Sequence, residues 1–367
     1  MTGCHVMVKP ASSRCNLNCR YCFYLDKPEQ PHMDDATLEA LIRQQIAAQP
    51  GDDVQFAWQG GEPTLCGVDF FRRAVALQQR YGQGKRIHNA FQTNGILLND
   101  EWCRFFRENG WLVGISLDGP AKLHDAYRVN RRGNPTHHKV IAAVERLRAH
   151  QVSFNLLTVV NQQNSQQPEQ VYRYLRDLGT PFLQFIPLAE RENPESVTDR
   201  QWGTFLKTVF DIWVREDIGR VFVQLFDSTL GVWSGYPSQM CSLAERCGHA
   251  FALEANGDLY QCDHYVYPDY RLGNIHHTPL RALNSSGAAR GFGEHKQASL
   301  TEECRQCPVR RLCNGDCPKH RVNGKSMLCE GYRDFFCYSA PHMRVMRDLI
   351  RLRRSPVELM RMLDASA

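Results

Sequence analysis

The first half of the chain alternates short apolar runs with longer segments whose apolar residues recur every three to four positions. The short runs favour buried strands and the longer segments are typical of amphipathic helices. The predicted strands are CHVMV (4–8), DVQFAWQ (53–59), RIHNAFQ (86–92), WLVGISL (111–117), VSFNLLTVV (152–160) and FLQFIPL (182–188). The predicted helices are 35–48, 69–81, 100–109, 137–150 and 168–179. The pattern predicts an α/β fold, an incomplete (β/α)6 barrel with its chemistry at the carboxyl ends of the strands.

The last third of the chain lacks this alternation of short apolar runs and amphipathic segments. After about residue 235, glycines, prolines and cysteines replace the periodic segments, apart from a short hairpin expected around Asn256-Gly257. A region with so little apolar periodicity needs a staple such as bound metal. The tail over 341–364 looks helical, with a break near Pro356. The predicted domains are the barrel with a linking helix (1–234), a cysteine-rich domain (235–340) and a helical tail (341–367).

The composition is that of a globular protein with an unusual number of thiols. A net charge of +5 on 367 residues is mild, so it calls for neither nucleic acid nor a membrane surface. The N-terminus lacks the features of a signal peptide and no apolar run reaches membrane-spanning length, so we expect a cytoplasmic protein. Fifteen cysteines in that compartment indicate metal or catalysis. The scattered Cys4, Cys66 and Cys103 are expected to be buried small hydrophobic residues.

Three cysteines lie together directly after the first predicted strand. The stretch CNLNCRYC places Cys15, Cys19 and Cys22 at the spacing C-x3-C-x2-C. Three thiolates from one loop can hold three irons of a [4Fe–4S] cluster and leave the fourth iron open. A partial zinc site or three unrelated thiols would be the alternative. The motif is identified as that of the radical S-adenosylmethionine (SAM) enzymes.

The radical SAM resemblance implies further SAM contacts at the ends of the following strands. The stretch QGGEP (59–63) follows the second strand, where glycines allow a ligand close to the backbone. SLDG (116–119) ends the fourth strand, and an arginine follows in HDAYRVN (124–130). Taken alone, the glycines would indicate a turn and the arginine a solvated charge. The implied SAM-binding residues are Tyr21, Gly60, Gly61, Glu62, Ser116 and Arg128.

The C-terminal cysteines occur as C-x5-C-x14-C and then as the dense block CRQCPVRRLCNGDC (304–317), with Cys329 and Cys337 beyond it. Alone, the block could bind zinc through its CxxC pair. Together with the N-terminal triplet, the pattern resembles the SPASM domain, which binds two auxiliary clusters.

A narrower resemblance comes from stretches spread over most of the chain. KPASSRCNLNCRYCFYL, FAWQGGEPTL, FQTNG, VGISLDGP, CDHYVYPDYRLGNI and CEGYRDFF are similar to those of the anaerobic sulfatase-maturating enzymes. The resemblance implies three [4Fe–4S] clusters. It assigns Cys241, Cys247, Cys262 and Cys317 to auxiliary cluster I and Cys304, Cys307, Cys313 and Cys329 to auxiliary cluster II. Cys337 is left over as a spare thiol, or it replaces Cys329.

The same resemblance implies an activity. A 5′-deoxyadenosyl radical removes a Cβ hydrogen from a cysteine or serine of a sulfatase, and oxidation ends at Cα-formylglycine. Asp263 corresponds to the family's proton acceptor, while Tyr24 and Gln59 resemble substrate-side residues. The implied partners are an unfolded or nascent sulfatase with a Cys/Ser-x-Pro-x-Arg motif and a one-electron reductant such as flavodoxin or ferredoxin. Without the resemblance, Asp263 would be assigned to turn capping.

Two other functions remain open from the sequence alone. A related radical SAM enzyme that cross-links or otherwise modifies a small ribosomal peptide would share the fold and the clusters. A zinc-stapled binding module would share only the C-terminal cysteine pattern.

Overall fold

The computed structural model describes residues 3–24 and 27–365. The chain folds into two compact units, each assembled from separate stretches of sequence. Unit one comprises Met1–Ser116, Asp125–Phe154 and Gly248–Glu294, and unit two comprises Leu117–His124, Asn155–Cys247 and His295–Ala367. Among the described residues, no helix combines the length and apolarity needed to cross a bilayer.

All of the predicted strands form, and further strands follow them. In chain order the strands are β1 His5–Lys9, β2 Asp53–Trp58, β3 Arg86–Thr93, β4 Leu112–Ser116, β5 Phe154–Val160, β6 Phe182–Pro187, β7 Phe222–Val223, β8 Ala250–Glu254, β9 Asp258–Tyr260, β10 Arg271–Asn274, β11 Arg321–Val322 and β12 Lys325–Ser326. In unit one the strand order is β10-β9-β8-β1-β2-β3-β4, with β1 to β4 parallel. In unit two, β5, β6 and β7 are parallel and β11 pairs with β12.

Helices follow the strands as the periodicity predicts. They are α1 Asp35–Ala48, α2 Val68–Tyr81, α3 Asp100–Glu108, α4 Ala121–His124, α5 His137–Ala149, α6 Pro168–Arg176, α7 Asp199–Glu216, α8 Gln224–Trp233, α9 Leu280–Asn284, α10 Gly287–Ala298, α11 Glu302–Gln306, α12 Arg310–Cys313, α13 Cys329–Arg351 and α14 Glu358–Asp364. The result is the parallel α/β fold expected from the sequence.

An aromatic core fixes β2, β3 and β4 against α2 and α3. The Phe71 ring lies 5.0 Å from Phe91 and 5.5 Å from Trp58, centroid to centroid. Trp111 and Phe106 complete the cluster, and all five side chains are almost fully buried. Each buried ring contributes about 2 kcal/mol of transfer free energy. This packing holds the carboxyl ends of these strands at one edge of the sheet.

The β8–β1 pairing is the part of unit one that the sequence did not predict. The hairpin around Asn256-Gly257 forms between β8 and β9 as expected. In addition, β8 runs parallel to β1, and this register places Glu254 opposite Lys9. Two charged residues therefore lie side by side at the carboxyl ends of buried strands.

The C-terminal helix begins earlier than the sequence predicted. A start at residue 341 is wrong, because α13 begins at Cys329 and Pro341 lies inside it. Tyr332, Phe335 and Phe336 are buried at helical spacing in the added turns, and this burial outweighs the cost of an interior proline. The predicted break near Pro356 is confirmed, since α13 ends at Arg351 and α14 begins at Glu358.

Candidate active site

The loop after β1 carries the N-terminal cysteine triplet. Successive turns fold it back on itself: Ser12 N donates to Lys9 O at 3.0 Å and Arg14 N to Ala11 O at 3.0 Å. Ser12 adopts a left-handed φ of 51°. This tight folding brings the triplet close to the carboxyl ends of the strands of unit one.

The three thiols of the triplet lie close to one another. Cys22 N donates to Cys19 O at 3.1 Å, which closes a turn between these two ligand candidates. The pKa of Cys15 is raised to about 12, mainly by burial and to a smaller extent by the neighbouring Glu62, Cys19 and Cys22. A thiol in such surroundings becomes a thiolate when a metal supplies positive charge. The donor set therefore fits an iron–sulfur cluster with three protein ligands.

Gly60 and Gly61 occupy positions that exclude a side chain. Their φ angles are +86° and +50°, in the left-handed region. A Cβ on Gly61 would lie 2.2 Å from Arg14 O, and a Cβ on Gly60 would lie 2.0 Å from Lys9 Cδ. The glycines thus let the end of β2 lie directly against the cysteine loop and against Lys9.

Glu62 ties the end of β2 to the end of β3. Its carboxylate is almost fully buried and accepts hydrogen bonds from Thr64 N at 3.0 Å, Thr64 Oγ1 at 2.7 Å, Thr93 Oγ1 at 2.8 Å and Asn94 N at 2.8 Å. Burial raises the pKa of Glu62, and these donors oppose that rise. Both carboxylate oxygens are committed to the protein, so Glu62 organises the site through its own side chain.

Tyr21 and Arg128 lie together and are both 8% exposed. The Arg128 guanidinium carbon is 5.4 Å from the centre of the Tyr21 ring, and the Tyr127 ring centre is 5.9 Å from that of Tyr21. Such burial is not that of a solvated loop charge. Elsewhere on the same edge, Ser116 Oγ accepts from Gln92 Nε2 at 2.9 Å.

Asp263 faces a buried lysine. It opens the short 3₁₀ turn Asp263–Tyr265 that directly follows Cys262. Its carboxylate forms an ion pair with Lys9 Nζ, and the side chains are 17% and 2% exposed respectively. The ion pair fixes the position of the Asp263 carboxylate at the end of β1. A carboxylate held in place in this way suits a general base.

A second carboxylate shares this cation. Tyr24 OH donates a hydrogen bond to Glu254 Oε1, and the Lys9 ammonium lies 4.5 Å from the Tyr24 ring centre. Burial raises the pKa of Glu254, whereas Ser12 and Lys9 lower it and Asp263 raises it. We call Lys9, Tyr24, Glu254 and Asp263 the acid cluster.

Sequence reasoning missed two members of the acid cluster, Lys9 and Glu254. The signal that could have found them is a charged residue at the carboxyl end of an otherwise apolar strand, HVMVK and FALE. The predicted Gln59 lies just beyond β2, where its backbone N donates to Val8 O at 2.9 Å.

In unit two, four of the predicted ligands surround one cavity. Cys304, Cys307, Cys313 and Cys329 line a cavity of about 270 Å³. This volume is many times what one water or one metal ion requires, so the cavity has room for a multi-atom cluster. Burial raises the pKa of Cys313 to about 12 and that of Cys329 to about 11. Four thiols suit zinc or a [4Fe–4S] cluster alike, and the volume of the cavity favours the cluster.

A second group of thiols in unit two consists of Cys241, Cys247 and Cys317. Burial raises the pKa of Cys317 to about 12, and the charges of Cys247 and Cys241 add to this effect. The three thiols therefore lie near one another. The fourth predicted ligand of this set, Cys262, belongs to unit one.

The remaining cysteines divide by exposure. Cys4 and Cys103 are buried as expected, Cys66 is half-buried, and Cys337 is exposed on α13. Burial raises the pKa of Cys4 to about 11 and that of Cys66 to about 12.

Comparison with known proteins identifies two domains and a family. Residues 10–195 match the radical SAM superfamily, and residues 241–308 match an iron–sulfur cluster-binding domain. The chain is 41% identical to the serine-type anaerobic sulfatase-maturating enzyme of Bacteroides thetaiotaomicron, covering 98% of this chain and 95% of that one. It is 34% identical to the cysteine-type enzyme of Clostridium perfringens strain ATCC 13124, covering 92% and 96%.

A solved structure, native anSMEcpe with bound AdoMet and Cp18Cys peptide, has the same fold. The TM-score is 0.88 with 34% identity, over 94% of this chain and 99% of that one. SAM and three [4Fe–4S] clusters are the cofactors that go with these two domains. With its cysteine triplet, its glycine-lined strand end and its C-terminal thiol sets in place, the chain belongs to the anaerobic sulfatase-maturating enzymes of the radical SAM superfamily.

Proposed function

We propose that this protein oxidises the active-site cysteine or serine of a sulfatase to Cα-formylglycine. The observation that carries the proposal is the Asp263 carboxylate, which directly follows Cys262 and is paired with the buried Lys9. A base at this position is what the oxidation of a Cβ–S–H or Cβ–O–H group requires. Relatives named for both serine-type and cysteine-type maturation are consistent with either substrate.

The loop after β1 and the following strand ends would hold the SAM cluster and SAM. Cys15, Cys19 and Cys22 are the proposed cluster ligands. When bound, these cofactors supply a 5′-deoxyadenosyl radical that removes a Cβ hydrogen, and an auxiliary cluster supplies an acceptor for one electron. The proposed SAM contacts are Tyr21, the backbone of Gly60, Gly61 and Glu62, together with Ser116 and Arg128.

The auxiliary clusters have their own proposed ligands. Cys241, Cys247, Cys262 and Cys317 would hold cluster I, and Cys304, Cys307, Cys313 and Cys329 would hold cluster II. The common cavity of the second set supports its assignment. The charges of Cys247 and Cys241 raise the pKa of Cys317, so these three thiols lie near one another. This supports their assignment as three of the four ligands of cluster I.

Side chains of the protein accept the proton that the substrate loses. Asp263 takes the proton of the substrate thiol or hydroxyl, while Lys9 holds the carboxylate in place. Tyr24 and Gln59 are the proposed substrate-side residues. Because the Tyr24 hydroxyl is bonded to Glu254, its ring rather than its hydroxyl would contact the peptide.

The proposed partners are an unfolded or nascent sulfatase with a Cys/Ser-x-Pro-x-Arg motif and a one-electron reductant such as flavodoxin or ferredoxin. We place the reaction in the cytoplasm, because a chain of fifteen cysteines, eleven of them proposed as cluster ligands, needs a compartment that keeps thiols reduced.

The test uses reduced protein reconstituted with iron and sulfide under anaerobic conditions. It is incubated with SAM and sulfatase peptides carrying Cys, Ser or Ala at the target position. Aldehyde formation in the Cys or Ser peptide, with matching 5′-deoxyadenosine and none in the Ala peptide, is the expected result. Unmodified Cys and Ser peptides despite SAM cleavage would overturn the proposed substrate. Stoichiometric zinc without SAM cleavage would overturn the enzyme assignment.

A further inference from the structure

Two cations are buried in unit two beside the thiols proposed for auxiliary cluster I. Lys296 on α10 is 0% exposed and Arg321 on β11 is 5% exposed. Charged side chains are rarely buried to this extent unless an opposite charge compensates them. The groups around these two cations therefore indicate which negative charge they compensate.

The Lys296 ammonium binds the backbone of the segment that begins at Cys241. Its Nζ donates to Cys241 O at 3.0 Å, to Ser242 O at 2.7 Å and to Ala244 O. Three acceptors need three N–H donors, which only the charged ammonium has. The Lys296 charge therefore lies against the segment that carries Cys241, a proposed cluster ligand.

The Arg321 guanidinium binds the segment that leads to Cys317. Its Nε donates to Gly315 O at 2.8 Å, and its Nη2 donates to Asn314 O at 3.2 Å and to Asp316 O at 3.1 Å. Its Nη1 donates to Lys296 O at 2.9 Å and Ser299 Oγ at 3.0 Å. The two cations therefore brace both ligand-bearing segments.

Neither cation forms a salt bridge with a carboxylate in the part of the chain that the structure describes. The nearby Asp316 carboxylate accepts from His320 Nδ1 at 2.9 Å and Ser326 Oγ at 2.8 Å through Oδ2, while its buried Oδ1 has no hydrogen-bond partner among the described residues. One buried carboxylate, which is shared with His320, and several carbonyl dipoles do not balance two buried cations. Burial lowers the pKa of Lys296, and the charges of Cys247, Asp316, Cys317 and Cys241 raise it.

The thiols of the other cavity have a different electrostatic setting. Lys325, near Cys329, is paired with Glu303 at 2.7 Å and Glu330 at 3.3 Å, and it is one-third exposed. Arg333 is also paired with Glu330. These charges are neutralised locally and screened by solvent.

We propose that Lys296 and Arg321 are the counter-charge of auxiliary cluster I and hold its reduction potential above that of auxiliary cluster II. A cluster bound by thiolates is negative, and reduction adds one more negative charge. Fixed buried cations stabilise the reduced form and so raise the potential. The inference rests on the proposed ligand set, and it makes cluster I the better acceptor of an electron from the substrate.

The experiment measures midpoint potentials by EPR-monitored titration of reconstituted full-length protein. A Cys15→Ala, Cys19→Ala and Cys22→Ala background silences the SAM cluster and leaves the two auxiliary signals. Lys296→Met and Arg321→Met remove a charge, Lys296→Arg and Arg321→Lys retain it, and Lys207→Met removes a lysine that is paired at the surface. Iron content is measured for every variant.

We expect each charge-removing variant to shift one auxiliary potential to a more negative value, while the charge-retaining variants and Lys207→Met leave both near wild type. Selective loss of one cluster's iron in the charge-removing variants alone would also support the counter-charge role. Unchanged potentials in Lys296→Met and Arg321→Met would overturn the inference. Iron loss in all four variants of Lys296 and Arg321, whether or not they keep the charge, would overturn the inference and show that the two side chains act through packing. None of these outcomes depends on peptide oxidation, so failure here is separable from failure of the proposed function.

Discussion

Lys9 and Asp263 form an ion pair in which the lysine is almost completely buried. The lysine ends β1, and Gly60 leaves the space that its stem occupies. Its ammonium serves two carboxylates, since Glu254 is its register partner on β8. The buried Lys9 ammonium is paired with Asp263 and lies near the buried Glu254 carboxylate, and this explains why a base can be held at this position.

Replacing Lys9 with methionine should uncouple the reaction. The Met side chain keeps the stem volume but leaves Asp263 and Glu254 to repel each other, so Asp263 moves from its position. We expect formylglycine per 5′-deoxyadenosine to fall by about tenfold or more, equivalent to ~1.4 kcal/mol. Iron content should be retained, and Lys9→Arg should restore part of the yield. Equal yields in Lys9→Met and wild type would contradict this role.

Gly60→Ala and Gly67→Ala form a matched pair. Both glycines have left-handed φ angles, +86° and +75°, so each substitution should cost about 1 kcal/mol of unfolding free energy. Only the Gly60 Cβ meets an obstacle, Lys9 Cδ at 2.0 Å, whereas the Gly67 Cβ has nothing within 4 Å. Gly60→Ala should therefore also lower the product yield, which mass spectrometry of the peptide measures. A similar yield loss in Gly67→Ala would point to backbone strain instead.

Glu62→Gln should destabilise the fold although it is nearly isosteric. The Gln oxygen can still accept from Thr64 and Thr93, which both donate to Oε1, but the amide nitrogen would then face Asn94 N, from which it cannot accept. We expect a loss of about 2 kcal/mol, seen as a lower melting temperature. Glu39→Gln, at an exposed ion pair, is the control and should change the melting temperature little. Equal melting temperatures for the two variants would contradict the structural role of Glu62.

Cys337 should be the most reactive cysteine of the iron-loaded protein. It is exposed, whereas burial raises the pKa of Cys4 to about 11, of Cys66 to about 12 and of Cys103 to about 11. At pH 8 these buried thiols are protonated and unreactive. Brief iodoacetamide treatment followed by peptide mapping should find label on Cys337 and none on Cys329. The reverse pattern would show that Cys337 replaces Cys329 as a cluster ligand.

The periodic part of the fold was predictable because each strand and helix carries its own pattern. The strands from β1 to β6 read as apolar runs, and the hairpin at Asn256-Gly257 reads from its turn residues. The β8–β1 pairing was not predictable, because nothing in the segment 250–254 specifies a partner far away in sequence. Lys9 and Glu254 were missed for the same reason, since their proximity follows from that pairing.

The C-terminal helix illustrates a second limit. The sequence predicted a helical tail over 341–364, whereas α13 begins at Cys329. Burial of Tyr332, Phe335 and Phe336 decides otherwise, and tertiary packing of this kind is not visible in a local window. In contrast, the cysteine spacing could single out candidate ligands, because ligand chemistry restricts both the residue type and the loop length, and four of these candidates line one cavity.

The most direct test of the account compares Asp263→Asn with Asp269→Asn, an exposed aspartate six positions along the chain. Both variants are reconstituted and assayed for iron, 5′-deoxyadenosine and formylglycine with the same sulfatase peptide. The account predicts that Asp263→Asn keeps its iron and cleaves SAM but loses most formylglycine, while Asp269→Asn matches wild type. Loss of iron in Asp263→Asn, or undiminished formylglycine per 5′-deoxyadenosine, would contradict it.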